Sequence, residues 1–213
     1  MRLHNYFRSS ASFRVRIALA LKGLACELVP VNLLKHEQSS ERYAALAPAR
    51  LVPLLEVDGE RLSQSLAIIE YLDEVYPQPS LLPGNALDRA RIRSLAHDVA
   101  CEIHPLDNLR VLRYRVREMK VGDADKTRWY KHWVETGLEV VEQRLAGDAR
   151  TGRFCHGDTP TLADCVLVPQ IVNAQRFECR LDHVPTVMRV FEACMQLDAF
   201  AQTQPSADPE AAA

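Results

Sequence analysis

Apolar and polar positions alternate in two rhythms along this chain. Residues 2–6 (RLHNY) read as a short strand, and from Ser12 to Lys22 apolar residues fall at Phe13, Ile17, Ala18 and Leu21, the spacing of one helical face. Gly23 follows as a helix stop. Residues 26–31 predict a second strand, and Pro30, which has no amide hydrogen to donate, places it at a sheet edge, parallel to the first. A shorter helix is expected around 38–47. The stretch LVPLLEVDGERLSQS (51–65) then gives strand, Asp58-Gly59, strand, a two-residue hairpin signature. Ser65 is expected to cap a helix carrying Ile68, Ile69, Leu72, Val75 and Tyr76. The predicted order is β-α-β-α-β-β-α.

The character of the chain changes at YPQPSLLPGNALD (76–88), where Pro77, Pro79, Pro83 and Gly84 interrupt both rhythms as an interdomain linker does. Beyond it the spacing is helical throughout: about 87–119, 124–146, 161–178 and 185–203. Pro105 removes an internal hydrogen bond, so the first of these should kink or break near residue 104. GDTPTLADC contains a capping box in which Thr161 and Asp164 bond each other's backbone amides. The fold class is therefore an α/β N-terminal domain (residues 1–82) followed by an all-α domain (87–205). Residues 206–213, without apolar periodicity, are expected to form a disordered tail.

Composition narrows the function. The 213 residues carry 26 Lys or Arg against 28 Asp or Glu, a net charge of −2, which argues against a general nucleic-acid or acidic-membrane binder. Small molecules or another subunit are the expected partners. MRLHNYFRSS lacks an apolar stretch of signal-peptide length and no window suits a membrane span, so the cytoplasm is the expected location. The six cysteines form no C-x-x-C pair and are expected as free, mostly buried thiols. His97, Cys101 and His104 fall at i, i+4 and i+7, yet no fourth ligand is evident and no metal is assigned.

Candidate chemistry sits at FRSSASFRVRIALALKG (7–23). Ser9 and Ser10 stand at a helix start, where they can cap free amides or, with the helix dipole, favour an anion. Arg14 and Arg16 read as helix-face residues with structural partners, and Arg113, Arg115 and Arg117 as solvated charges.

This segment closely resembles the signature of the zeta-class glutathione transferases, S-S-C-x-W-R-V-R-I-A-L. LVP (51–53), QSLAIIEYL (64–72), IHPLDN (103–108), GDTPTLADCVLVPQ (157–170) and NAQRF (173–177) follow in that family's order, so the resemblance covers nearly the whole chain. Ala11 replaces the usual cysteine and Phe13 the usual tryptophan.

The resemblance implies a thioredoxin-like N-terminal domain, the cytosolic glutathione transferase fold, a homodimer, and glutathione as a cofactor that is not consumed. It implies an isomerase that turns the cis double bond of maleylacetoacetate trans, giving fumarylacetoacetate in tyrosine catabolism. Ser9 would donate to the glutathione sulfur with Ser10 in support. A cis Val52-Pro53 bond would present the Val52 backbone to the cysteinyl part, Gln64 and Ser65 would bind the γ-glutamyl carboxylate, and Gln38 would reach the glycyl end. His104 and Asn108, one helical turn apart, would lie near glutathione. The substrate, a dicarboxylate keto-acid, would be gripped by Arg8, Arg110 and Arg176, because a guanidinium pairs a carboxylate bidentately. Three alternatives stay open: a maleylpyruvate isomerase, to whose pattern Arg110 is similar; a transferase acting on α-haloacids; and a non-enzymatic binding module of the same fold.

Overall fold

The computed structural model describes residues 1–207. The chain divides into two compact units, one comprising Met1–Leu81 together with the segment from Met195 onward, the other Leu82–Cys194.

The first unit is built on four strands, β1 (Arg2–Asn5), β2 (Glu27–Pro30), β3 (Leu54–Val57) and β4 (Glu60–Ser63), in the order β2-β1-β3-β4. β2 runs parallel to β1, and β3 pairs antiparallel with both β1 and β4. Pro30 lies on the edge strand, where its missing donor costs nothing. Asp58 and Gly59 turn the hairpin with φ of 51° and 82°, the doubly left-handed geometry that matches strand twist. Leu3 and Leu55 stand opposite each other and are fully buried, as are Ile17 of α1 (Ser10–Leu21) and Ile68, Ile69 and Leu72 of α3 (Ser65–Val75). The helix expected around 38–47 is a 3₁₀ turn, Glu37–Ser39, followed by α2 (Glu41–Leu46), which Ser40 caps through the amide of Tyr43.

α1 begins two residues earlier than its apolar spacing indicates, because Ser9 occupies the N-cap. At its other end Lys22 is buried, and its ammonium donates to Asp73 Oδ1 (2.8 Å) and the carbonyls of Tyr76 (2.7 Å) and Pro79 (2.8 Å). All three of its hydrogens are thus used, as a buried charge requires.

In the second unit the long helical stretch is interrupted twice. α4 (Ala86–His97) runs into a π-helical turn, Asp98–Ile103, in which the amide of His104 reaches the carbonyl of Val99. This widening accommodates the donor missing at Pro105. A short α5 (His104–Asp107) follows, and the break falls at Asn108, four residues beyond the expected position, where the backbone is extended and a new helix, α6 (Leu109–Arg117), begins. α7 (Asp123–Ala146) packs closely on the π turn: a Cβ built at Gly137 would lie 2.4 Å from Ile103 Cγ1, so only glycine fits there without displacement. The Thr161–Asp164 capping box opens α8 (Leu162–Arg176). Fully buried Asp164 also accepts the Cys155 amide at 2.8 Å, tying the preceding loop to the helix start.

Past α9 (Pro185–Met195) the last expected helix breaks, and α10 (Asp198–Ala201) with a short 3₁₀ turn, Pro205–Ala207, groups with the first unit. Fully buried Phe200 and a bond from Arg16 Nε to the carbonyl of Thr203 (3.1 Å) hold it there. Of the tail expected from residue 206, positions 208–213 lie outside the described residues. All six cysteines are free. Among the described residues no helix is long and apolar enough to cross a membrane.

Candidate glutathione site

The loop from β1 to α1 is fixed by a buried arginine. Arg16 donates through Nη1 to Asn5 Oδ1 (2.6 Å) and through Nη2 to the carbonyl of Phe7 (3.0 Å), so one guanidinium spans the turn that delivers Ser9. The amide of Ser9 closes that turn on Tyr6 O at 2.9 Å. Ser9 Oγ then accepts the amide of Ser12 at 3.2 Å, the bond of an N-cap. A serine hydroxyl has one donor and two acceptor sites, so capping leaves its O–H able to donate to an anion at the same helix start. Ser9 is half-buried and Ser10, the first helical residue, is buried. Arg8 is exposed, its guanidinium over the Phe7 ring.

The Val52-Pro53 bond is cis, as is Gln78-Pro79. Ser65 is not the cap of α3, as its sequence position suggests, but its first helical residue. Gln64 occupies the N-cap with a left-handed φ of 69° and no side-chain cap bond. Glutamine seldom adopts such a conformation, and non-glycine residues held there cluster at ligand-binding positions. Ser65 Oγ instead accepts from Arg14 Nη1 at 3.3 Å, which places a buried cation behind the α3 N-terminus. The starts of α1 and α3, with Arg8 and Arg14, make this end of the sheet favourable to negative charge. Gln38, in the 3₁₀ turn before α2, is half-buried and its Oε1 is a buried acceptor without a hydrogen-bond partner among the described residues. A ligand amide would satisfy it, so the residue types here suit a peptide bearing carboxylates, which is what glutathione is.

His104, Asn108, Arg110 and Arg176 belong to the second unit. His104 and Asn108 are not one turn apart on a continuous helix. Asn108 stands in the break, and its Oδ1 caps α6 by accepting the amides of Arg110 (3.1 Å) and Val111 (3.2 Å), leaving its amide nitrogen as the donor. Arg110, in the first turn of α6, and Arg176, in the last turn of α8 over Phe177, are both exposed.

Two side chains escape the sequence reading. Arg115 is not a solvated charge: its guanidinium lies 3.7 Å from the centroid of Trp129 and its Nε is buried. Asp107 is 8% exposed, and neither carboxylate oxygen has a hydrogen-bond partner among the described residues. Burial therefore pushes its pKa up to about 8. The apolar spacing around each gives no sign of these surroundings.

Residues 3–80 match the family model described as glutathione S-transferase, N-terminal domain. The chain is 47% identical over 213 residues to a maleylacetoacetate isomerase of Pseudomonas aeruginosa, covering 99% of this chain and 98% of that one. It superposes with a TM-score of 0.96 on the holo structure of a bacterial zeta-class maleylpyruvate isomerase, 45% identical with 99% of each chain covered. With a maleylacetoacetate isomerase of Methylobacterium extorquens AM1, solved with bound malonate and glutathione, the TM-score is 0.97 at 39% identity, and both chains are covered entirely.

Proposed function

The chain belongs to the zeta class of glutathione transferases, the family of the maleylacetoacetate and maleylpyruvate isomerases, and from that premise we propose that it is a glutathione-dependent maleyl cis-trans isomerase acting on maleylacetoacetate. The observation that carries this reading is the double use of Ser9, whose oxygen caps α1 while its hydrogen remains to be donated. Bound glutathione supplies the sulfur nucleophile whose reversible addition to a conjugated double bond frees that bond to rotate. A free thiol has a pKa near about 8.5, so the protein's task is to favour its anion. Ser9 does so with its hydroxyl, helped by the α1 amides and dipole, with Ser10 in support. Gln64 and Ser65, backed by Arg14, take the γ-glutamyl carboxylate; the Val52 backbone takes the cysteinyl part and Gln38 the glycyl end. His104 and the Asn108 amide are assigned to glutathione as well, and Arg8, Arg110 and Arg176 to the substrate carboxylates. Ala11 means that no protein thiol takes part at this helix start.

Maleylpyruvate is the second reading, and Arg110 favours it: exposed in the first turn of α6, it is a cation suited to a short distal acid. Both readings place the enzyme in the cytoplasm as a homodimer, which sedimentation at micromolar concentration tests. The deciding experiment assays both keto-diacids side by side, with and without glutathione, on wild type, Ser9→Ala and Arg110→Ser. Loss of a hydroxyl donor to an anion should lower kcat/KM about 10²–10³-fold for Ser9→Ala. Isomerisation that proceeds equally without glutathione, or a full rate in Ser9→Ala, overturns the reading. A greater loss on maleylpyruvate in Arg110→Ser selects the second substrate.

A further inference from the structure

Between α2 and β3 the chain runs through residues 47–53, outside any helix or strand, and delivers Val52, whose backbone is assigned to the cysteinyl part of glutathione. Pro48, Ala49, Arg50 and Leu51 are exposed in succession, so packing does not fix the approach to Val52. A polar bond from α2 does: the Tyr43 hydroxyl donates to the Leu51 carbonyl at 2.7 Å, the ordinary length of a good O–H···O bond. We propose that Tyr43 is a positioning residue for glutathione, its hydroxyl turning the Leu51–Val52 peptide so that the Val52 amide hydrogen faces the cysteinyl carbonyl. The proposal rests on the assignment of the Val52 backbone given above.

Three observations carry it. First, the Leu51–Val52 peptide is trans and planar, so the Leu51 carbonyl and the Val52 N–H lie in one plane and point in opposite directions. Gripping the oxygen therefore aims the hydrogen. Second, the phenol is itself fixed. Tyr43 is 5% exposed, in an apolar cluster with Tyr6, Phe7, Val52 and Leu54, and the His4 ring meets it edge-on at a centroid distance of 5.8 Å. Burial pushes its pKa well up, so the hydroxyl remains a donor throughout the neutral range. Third, packing does not account for the hydroxyl. Phenylalanine would fill the same apolar space, whereas a buried O–H has to find an acceptor, and the one it finds shares a peptide with the amide that glutathione needs.

Tyr43→Phe removes the donor and keeps the ring. Glutathione binding is measured by calorimetry, and isomerisation of maleylacetoacetate at varied glutathione, on wild type, Tyr43→Phe and Leu46→Val. Leu46 packs on the same cluster from the same helix, so its variant loosens the packing and leaves the hydroxyl bond in place. For Tyr43→Phe the Kd and KM for glutathione should rise about 3–10-fold, the size of one net hydrogen bond, with kcat at saturation within about twofold of wild type. Leu46→Val should bind glutathione as wild type does. Hydrogen exchange reads the peptide directly: saturating glutathione should slow exchange of the Val52 amide in wild type, and slow it less in Tyr43→Phe. An unchanged Kd in Tyr43→Phe, an equal rise in Leu46→Val, or equal protection of the Val52 amide in wild type and Tyr43→Phe overturns the proposal and leaves the glutathione reading standing. A wild type that binds no glutathione overturns that reading, and the proposal with it.

Discussion

Asp107 sits where a carboxylate has no natural reason to be: at the last position of α5, buried, with nothing donating to either oxygen among the described residues. The folded state holds this carboxyl protonated up to about pH 8, whereas an unfolded aspartate titrates near about 3.9. Between those values the folded chain binds the extra proton, so stability falls as pH rises through the window and levels off above it. The Asp107→Asn variant, with no proton to lose there, has no such slope. Thermal unfolding of Asp107→Asn and wild type at pH 5, 6.5 and 8.5 should show the variant gaining on wild type at each step, and a constant difference would show that the acid is solvated. At this scale the sequence is unevenly legible. Two serines ahead of a helical run announce a helix start, and Ser9 occupies it. The pairing of Arg14 with Ser65, 51 residues away, has no local signature, which is why Ser65 reads as a cap when Gln64 holds that position.

Elements whose apolar rhythm is strong and whose turns are chemically marked are readable in order and type. The Asp58-Gly59 hairpin and the Thr161–Asp164 box are the clearest cases, because each depends on residues within three or four positions of one another. The helical stretch after residue 86 is less so. Pro105 foretells a disruption, but a π turn ahead of it and an asparagine cap behind it share the deformation, and neither alters the apolar spacing enough to be seen. Gly137 belongs to the same region. Its lack of a side chain lets α7 approach Ile103, which is fully buried and β-branched. Gly137→Ala should gain about 1 kcal/mol of helix propensity and lose more to overpacking, about 1–3 kcal/mol. A Tm below wild type by a few degrees is expected on calorimetry, and a Tm at or above it would show that Ile103 moves aside freely.

For the molecule as a whole, the proline-rich stretch marks where the chain passes from one unit to the other, but not that it comes back. Nothing in residues 195–207 says which unit they will join, since Phe200 would be equally apolar against either. The tie is the Arg16–Thr203 bond, made by the same guanidinium that fixes the loop before Ser9. A chain stopped after Gln202 should therefore bind glutathione more weakly while the helical unit keeps its far-ultraviolet signal, and unchanged affinity by calorimetry would show that the bonds to Asn5 and Phe7 suffice alone. That single side chain also sets a schedule. Its partners at Asn5 and Phe7 are synthesised before it, yet its third partner is 187 residues downstream, an interval of about 10–40 s at ordinary rates of translation. During that time the nascent chain carries a loop that is shaped but not yet locked, and the last bond to it can close only after residue 203 has been made and has left the ribosome.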